Sequence, residues 1–146
     1  MMTGTIEETT IPASDVLVGA RVYLSGPMTG FPDWNAEAFR EAEAFCRAHG
    51  AKTVYNPCSV HWSHDPDGMT HEEAMCLSLR RMLAPGHDDI ACTRPGHVSR
   101  PAFDLVVPLD GWQRSEGARV EVMAAASCGI RHEELADLMF ARRMVA

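Results

Sequence analysis

Apolar positions recur along this chain in two rhythms. Val22, Tyr23 and Leu24 form a short apolar run that Gly26, Pro27 and Gly30 cut off, which predicts a strand ending in a tight turn. From about Asp33 or Asn35 to His49 the spacing lengthens. Ala38, Phe39, Ala42 and Phe45 make a stripe at helical intervals, and Gly50 supplies the stop. Thr53 to Tyr55 returns to strand character and closes on Asn56 and Pro57. Strand, helix and strand in such a short span form the βαβ unit of a parallel sheet.

The second half continues the alternation. "CSVHWSHDPDGMT" reads as a loop, and "THEEAMCLSLRRML" as a helix with Thr70 at its N-cap and Glu73 three residues later. Residues 84–101 carry three prolines, two glycines and no periodicity, which predicts a long loop. Phe103 to Leu109 reads as a buried strand, Asp110 to Gly117 as a turn, and "ARVEVMAAASCG" as a helix ending at Gly129. A strand residue or two then leads into a closing amphipathic helix, with Leu135, Leu138 and Met139 facing inward. The expected fold class is α/β: one domain over residues 19–146, with a small parallel sheet in Rossmann-like, flavodoxin-like order flanked by helices. Residues 1–18 read as a frayed or disordered tail. Ligands of such sheets bind beyond the carboxyl ends of the strands. Ser25 to Gly30, the chain from Asn56 onward, and Asp110 to Gly117 should therefore meet at one edge.

Composition narrows the partners. The chain has 146 residues, 46% apolar and 23% charged, which suits one globular domain with a proper core. A formal net charge of −7 argues against non-specific binding to nucleic acid or to an anionic membrane surface, yet leaves room for a small phosphorylated ligand. Five cysteines, an odd number with no CxxC pair, fit reduced thiols in the cytoplasm better than a disulfide framework. No stretch approaches the ~20 apolar residues of a membrane span, and the acidic N-terminus does not read as a signal peptide. His61, His64 and His71, and His87, Cys92 and His97, match no recognised metal-binding spacing, so no metal and no cofactor is expected.

Two features carry candidate chemistry. The turn "SGPMTG" is neither GxGxxG nor a P-loop, but a Gly-rich turn after a strand exposes N–H groups that can cradle a phosphate. Glu121 lies among Val120, Val122, Met123 and Ala124 on a helix apolar on nearly every face, which predicts a buried helix. A carboxylate there needs a partner. It is either a member of an ion pair, with Arg119 for example, or a functional nucleophile or base near the expected ligand edge. Trp112 is either a base-stacking residue or a hydrophobic anchor.

"YLSGPMTG" followed, beyond a further strand, by "SEGARVE" resembles the nucleoside 2-deoxyribosyltransferase superfamily, which includes the 2′-deoxynucleoside 5′-phosphate N-hydrolases. The likeness spans about Arg21 to Gly129 and is nearest to short, often phage-borne domains with a YISGPMTG-type start. It implies cleavage of the N-glycosidic bond of a (deoxy)nucleoside 5′-monophosphate, with Glu121 as the nucleophile that forms a sugar ester and Tyr23 positioning it. It implies that Ser25, Gly26, Pro27, Met28 and Gly30, with Ser115, Gly117 and Trp112, bind the substrate, and that the chain forms a homodimer or higher oligomer. Relatives carry an aspartate where this chain has Ser78, so Asp110, or Asp88 or Asp89 from the loop, is a candidate substitute acid. Loop 84–101 is an insertion relative to that pattern. Two alternatives accompany this reading: a degenerate domain that only binds a nucleotide, and a base-exchanging deoxyribosyltransferase.

Overall fold

Tyr23 and Val106 point to one side of a parallel sheet, and Val22, Leu24, Leu105 and Val107 to the other; both sets are buried. In the computed structural model, residues 15–59, 69–86 and 100–145 are described. The strands are β1 (Arg21–Ser25), β2 (Thr53–Tyr55), β3 (Leu105–Pro108) and β4 (Arg131–His132), all parallel, in the order β2-β1-β3-β4. The helices are α1 (Ala36–Ala48), α2 (His71–Met82), α3 (Glu116–Ser127) and α4 (Leu135–Val145). This is the Rossmann-like α/β fold with flavodoxin-like order that the pattern predicts.

Two apolar layers sandwich the sheet. On one side α1 contributes Phe39, Ala42 and Cys46, and α4 contributes Leu138. On the other side α2 contributes Met82, and α3 contributes Val122 and Ala125, around Tyr23 and Val106. Each large side chain buried here is worth about 1.5–3 kcal/mol of transfer free energy. The first layer also includes Leu17, which is 1% exposed. Packing therefore begins inside the segment read as a tail, whose first 14 residues lie outside the described ones.

Local signals act where expected. Thr70 accepts from Glu73 N at 3.1 Å while Glu73 reaches back to Thr70 N at 2.9 Å, a complete capping box for α2. Two expectations change. β3 runs only from Leu105 to Pro108: at its start the Asp104 side chain, rather than a main-chain carbonyl, accepts from Arg21 N at 2.9 Å. α3 is not buried all round: Ala118, Val122 and Ala125 face the sheet, but Val120 and Met123 are exposed. An apolar composition alone does not show which stripe the sheet covers.

The ends of the expected long loop meet. Pro85 and Pro101 form an antiparallel bridge, flanked by hydrogen bonds from Gly86 N to Arg100 O and from Ala102 N to Ala84 O. Cys46, Cys58, Cys76 and Cys128 are free thiols, and burial pushes the first two up to about 12 and about 11.

Candidate functional site

Strand alternation places Tyr23 and Ser25 on the same face of β1, the face that α3 covers. Glu121 lies one helical turn beyond Ala118 and one before Ala125, so its side chain descends toward that face. The three meet. Tyr23 Oη donates to Glu121 Oε2 at 2.9 Å, and Ser25 Oγ donates to Glu121 Oε1 at 2.6 Å. Ser78, from α2, brings its buried hydroxyl to the same cluster, beside Glu121 and Tyr23. Among the described residues no cation pairs with Glu121. Arg119, the expected partner, turns away and donates to Gln113 O at 3.3 Å.

Burial pushes the Glu121 carboxyl above its ordinary range, against the pull of the Ser25, Tyr23 and Ser78 hydroxyls. Burial, and then the Glu121 charge, likewise holds the Tyr23 phenol well above its usual value, so it stays protonated and donates. The result is a carboxyl surrounded by neutral donors, with no paired cation among the described residues. Such a carboxylate keeps more of its nucleophilic character than one neutralised by a guanidinium.

Above Glu121 opens a cavity of about 450 Å³ at the carboxyl edge of the sheet. The turn after β1 supplies Gly26, Pro27, Met28, Thr29 and Phe31, and the turn after β2 supplies Pro57. Gly111 and Arg114, with Ser115 to Ala118 at the start of α3, form the β3 side. α2 closes it with His71, Ala74, Met75 and Ser78. The three expected loops do converge. At the α3 start, Ser115 Oγ accepts from Ala118 N at 3.2 Å, which leaves its own hydrogen free to donate. The N–H groups of Glu116 and Gly117 have no partner within the helix. His71 Nε2 stands 3.7 Å from Glu116 Oε1, joining the first turns of α2 and α3 at the cavity.

The turn after β1 is tightly specified. A Cβ on Gly26 would lie 2.9 Å from Leu109 Cβ, so that glycine allows the β1 and β3 ends to approach, and Gly30 takes φ +87°. Asp33, Trp34 and Asn35 follow with φ of 50°, 56° and 64°, three consecutive left-handed residues. Each costs about 1–2 kcal/mol. Asn35 Nδ2 to Pro27 O at 2.9 Å and Cys58 Sγ to Trp34 O at 3.3 Å help hold the turn in place.

The expected residues divide accordingly. Glu121, Gly26, Pro27, Met28, Ser115 and Gly117 line the cavity; Tyr23 and Ser25 lie beneath it, bound to Glu121. Ser25 thus supports the carboxylate rather than a phosphate. Gly30 shapes the turn without lining the cavity. Asp110 is exposed and does not line the cavity, and Asp88 and Asp89 lie outside the described residues. Trp112 packs against the core layer of Val122 and Ala125 and is the hydrophobic anchor. Sequence reasoning missed Phe31, Pro57, His71 and Arg114 as lining residues. The supporting role of Ser78 was legible: it falls one turn before the buried Met82, a polar residue on a buried stripe.

Among the described residues no group of three or more His, Cys, Asp or Glu is placed to hold a metal ion, and no helix is long and apolar enough to cross a membrane. Of the histidines and cysteine weighed for metal binding, all but His71 lie outside the described residues. Residues 20–92 match the family described as a domain of unknown function, DUF4406. That match takes in half of the chain, from β1 through α2, and the chain belongs to this family. No curated protein and no solved structure matches it.

Proposed function

We propose that this protein cleaves the N-glycosidic bond of a (deoxy)nucleoside 5′-monophosphate, with Glu121 as the nucleophile. The observation that carries the reading is the Glu121 carboxylate at the cavity floor, held by Tyr23 at 2.9 Å and Ser25 at 2.6 Å with no paired cation among the described residues. The resemblance of "YLSGPMTG" and "SEGARVE" to the nucleoside 2-deoxyribosyltransferase superfamily supports it from the sequence side. A carboxylate oxygen attacks C1′, the C1′–N bond breaks, and the base departs with the bonding pair and takes a proton from water in the open cavity. Water then cleaves the sugar ester, releasing the sugar phosphate and restoring the carboxylate. The 5′-phosphate fits the start of α3, where N–H groups, the Ser115 hydroxyl and the Arg114 guanidinium face the cavity. A second copy of the chain on the exposed apolar stripe of α3, Val120 and Met123, would make the homodimer that the resemblance implies.

Ser78 favours a second reading, a binder that has lost turnover, because a serine supplies no acid to the leaving base. Base release from a panel of ribo- and deoxyribonucleoside 5′-monophosphates separates the two. Hydrolysis is expected in the wild type and a loss of about 10⁴-fold or more in Glu121→Ala and Glu121→Gln. Binding without release from any substrate supports the second reading; sugar transfer to an added free base would make the enzyme a base-exchanging deoxyribosyltransferase.

A further inference from the structure

The cavity has two unlike ends, set by the strand order. Toward β3 lie Arg114, Ser115, Glu116 and Gly117, polar and rich in donors. Toward β2 lies Pro57, with Phe31 from the turn after β1. Cys58 Sγ bonded to Trp34 O ties these two turns together. Glu121 opens below. A ligand with an anionic group at the α3 start and its reacting carbon over Glu121 therefore extends its remaining part toward Phe31.

Phe31 is unlike the other apolar residues of the lining. It is 45% exposed, and none of the other large exposed apolar side chains among the described residues lines this cavity. Its backbone is pinned on both sides, with Phe31 N donating to Met28 O at 3.2 Å and Trp34 N donating to Phe31 O at 3.1 Å. The strained turn that follows, locked by Asn35 to Pro27 O, keeps the ring at the cavity edge rather than in the core. Trp112, the other aromatic candidate for stacking, packs against the layer of Val122 and Ala125 and does not line the cavity.

We propose that Phe31 is the platform on which the planar base of the nucleotide stacks. The inference rests on the functional reading above and assigns the base end of the same cavity. Stacking on one aromatic face tolerates any planar base, so Phe31 supplies affinity for a base over no base, and the choice among bases falls to other groups.

The test is a calorimetric titration of the full chain carrying Glu121→Gln, so that no ligand is consumed. The probes are the 5′-monophosphates of adenosine, guanosine, cytidine, uridine and thymidine, and deoxyribose 5-phosphate as the probe without a base. Adding Phe31→Ala is expected to weaken the nucleotides by about 5- to 100-fold, to leave deoxyribose 5-phosphate within about twofold, and to be rescued by Phe31→Trp. Nucleotide affinity untouched by Phe31→Ala overturns the platform and leaves the functional reading standing. Equal weakening of deoxyribose 5-phosphate also overturns it, since the turn and not the ring would then be responsible. If the parent protein binds no probe, the functional reading falls and the platform with it.

Discussion

The two ends of the sheet each hold a carboxylate, and they hold it in opposite ways. At the amino end, Asp104 grips Arg21 through two side-chain hydrogen bonds of 3.0 Å and also accepts from Arg21 N at 2.9 Å. The Arg21 guanidinium holds the Asp104 carboxyl below its usual range. At the carboxyl end, Glu121 faces only hydroxyls among the polar side chains of the described residues, and burial carries its carboxyl the other way. A paired carboxylate ties β1 to β3 and has little left to offer a substrate. One held by neutral donors is less stable as an anion and more available for chemistry.

Breaking the Glu121 side of this contrast should have the largest effect. Tyr23→Phe and Ser25→Ala each remove one donor to the anion without adding a charge. Base release is expected to fall by about 10–10³-fold, in the range seen when one positioned donor is lost. The acidic limb of the pH–rate profile should also move to higher pH, because the remaining environment favours the protonated acid more strongly. A drop in rate with an unmoved limb would mean that these hydroxyls serve something other than the carboxylate.

A smaller effect concerns stability. Since the folded-state pKa of Glu121 is raised, its contribution favours folding below the ordinary value of 4.5 and is lost as the pH rises through the folded value. Glu121→Gln is therefore expected to raise Tm by about 2–4 °C near neutral pH and to lose that advantage in acid, as for other strained functional groups. Thermal unfolding across pH reads this directly; a destabilised variant at neutral pH would contradict it.

The smallest effect belongs to Asp104. Its folded pKa is lowered, so its contribution is present above the ordinary value of 3.8 and disappears as the pH falls through the folded value. Both side chains are partly exposed, and the loss in Asp104→Asn should be no more than about 1 kcal/mol at neutral pH, with base release unchanged. Denaturant midpoints at neutral and acid pH, alongside turnover, check both halves.

Much of the fold could be read because each element carries its own local signal. β2 occupies Thr53–Tyr55 as the pattern predicts, and α2 starts at the Thr70–Glu73 box. The site was legible where a polar residue breaks an apolar stripe, as Glu121 does. That Tyr23 answers it followed from the family resemblance, and the bond is present; that Ser25 joins it was not legible. Tyr23, Ser25 and Ser78 come from two elements far apart in sequence, and their convergence depends on how α2 crosses α3 above β1. Asp110 and Trp112 were misplaced for a related reason: they follow the end of a strand, where alternation no longer sets the direction of a side chain. Phe31 gave no periodic signal at all, since its position is fixed by a turn of three left-handed residues that carries no glycine.

The Pro85–Pro101 bridge bears on how this chain can vary. Because the chain leaving α2 is clasped at Pro85 to the chain that returns toward β3 at Pro101, the two ends of the span between these prolines stand side by side. Doubling such a span costs only about 0.6 kcal/mol of closure entropy. For closure entropy alone, the clasp sets a low cost on changes of length between the two prolines.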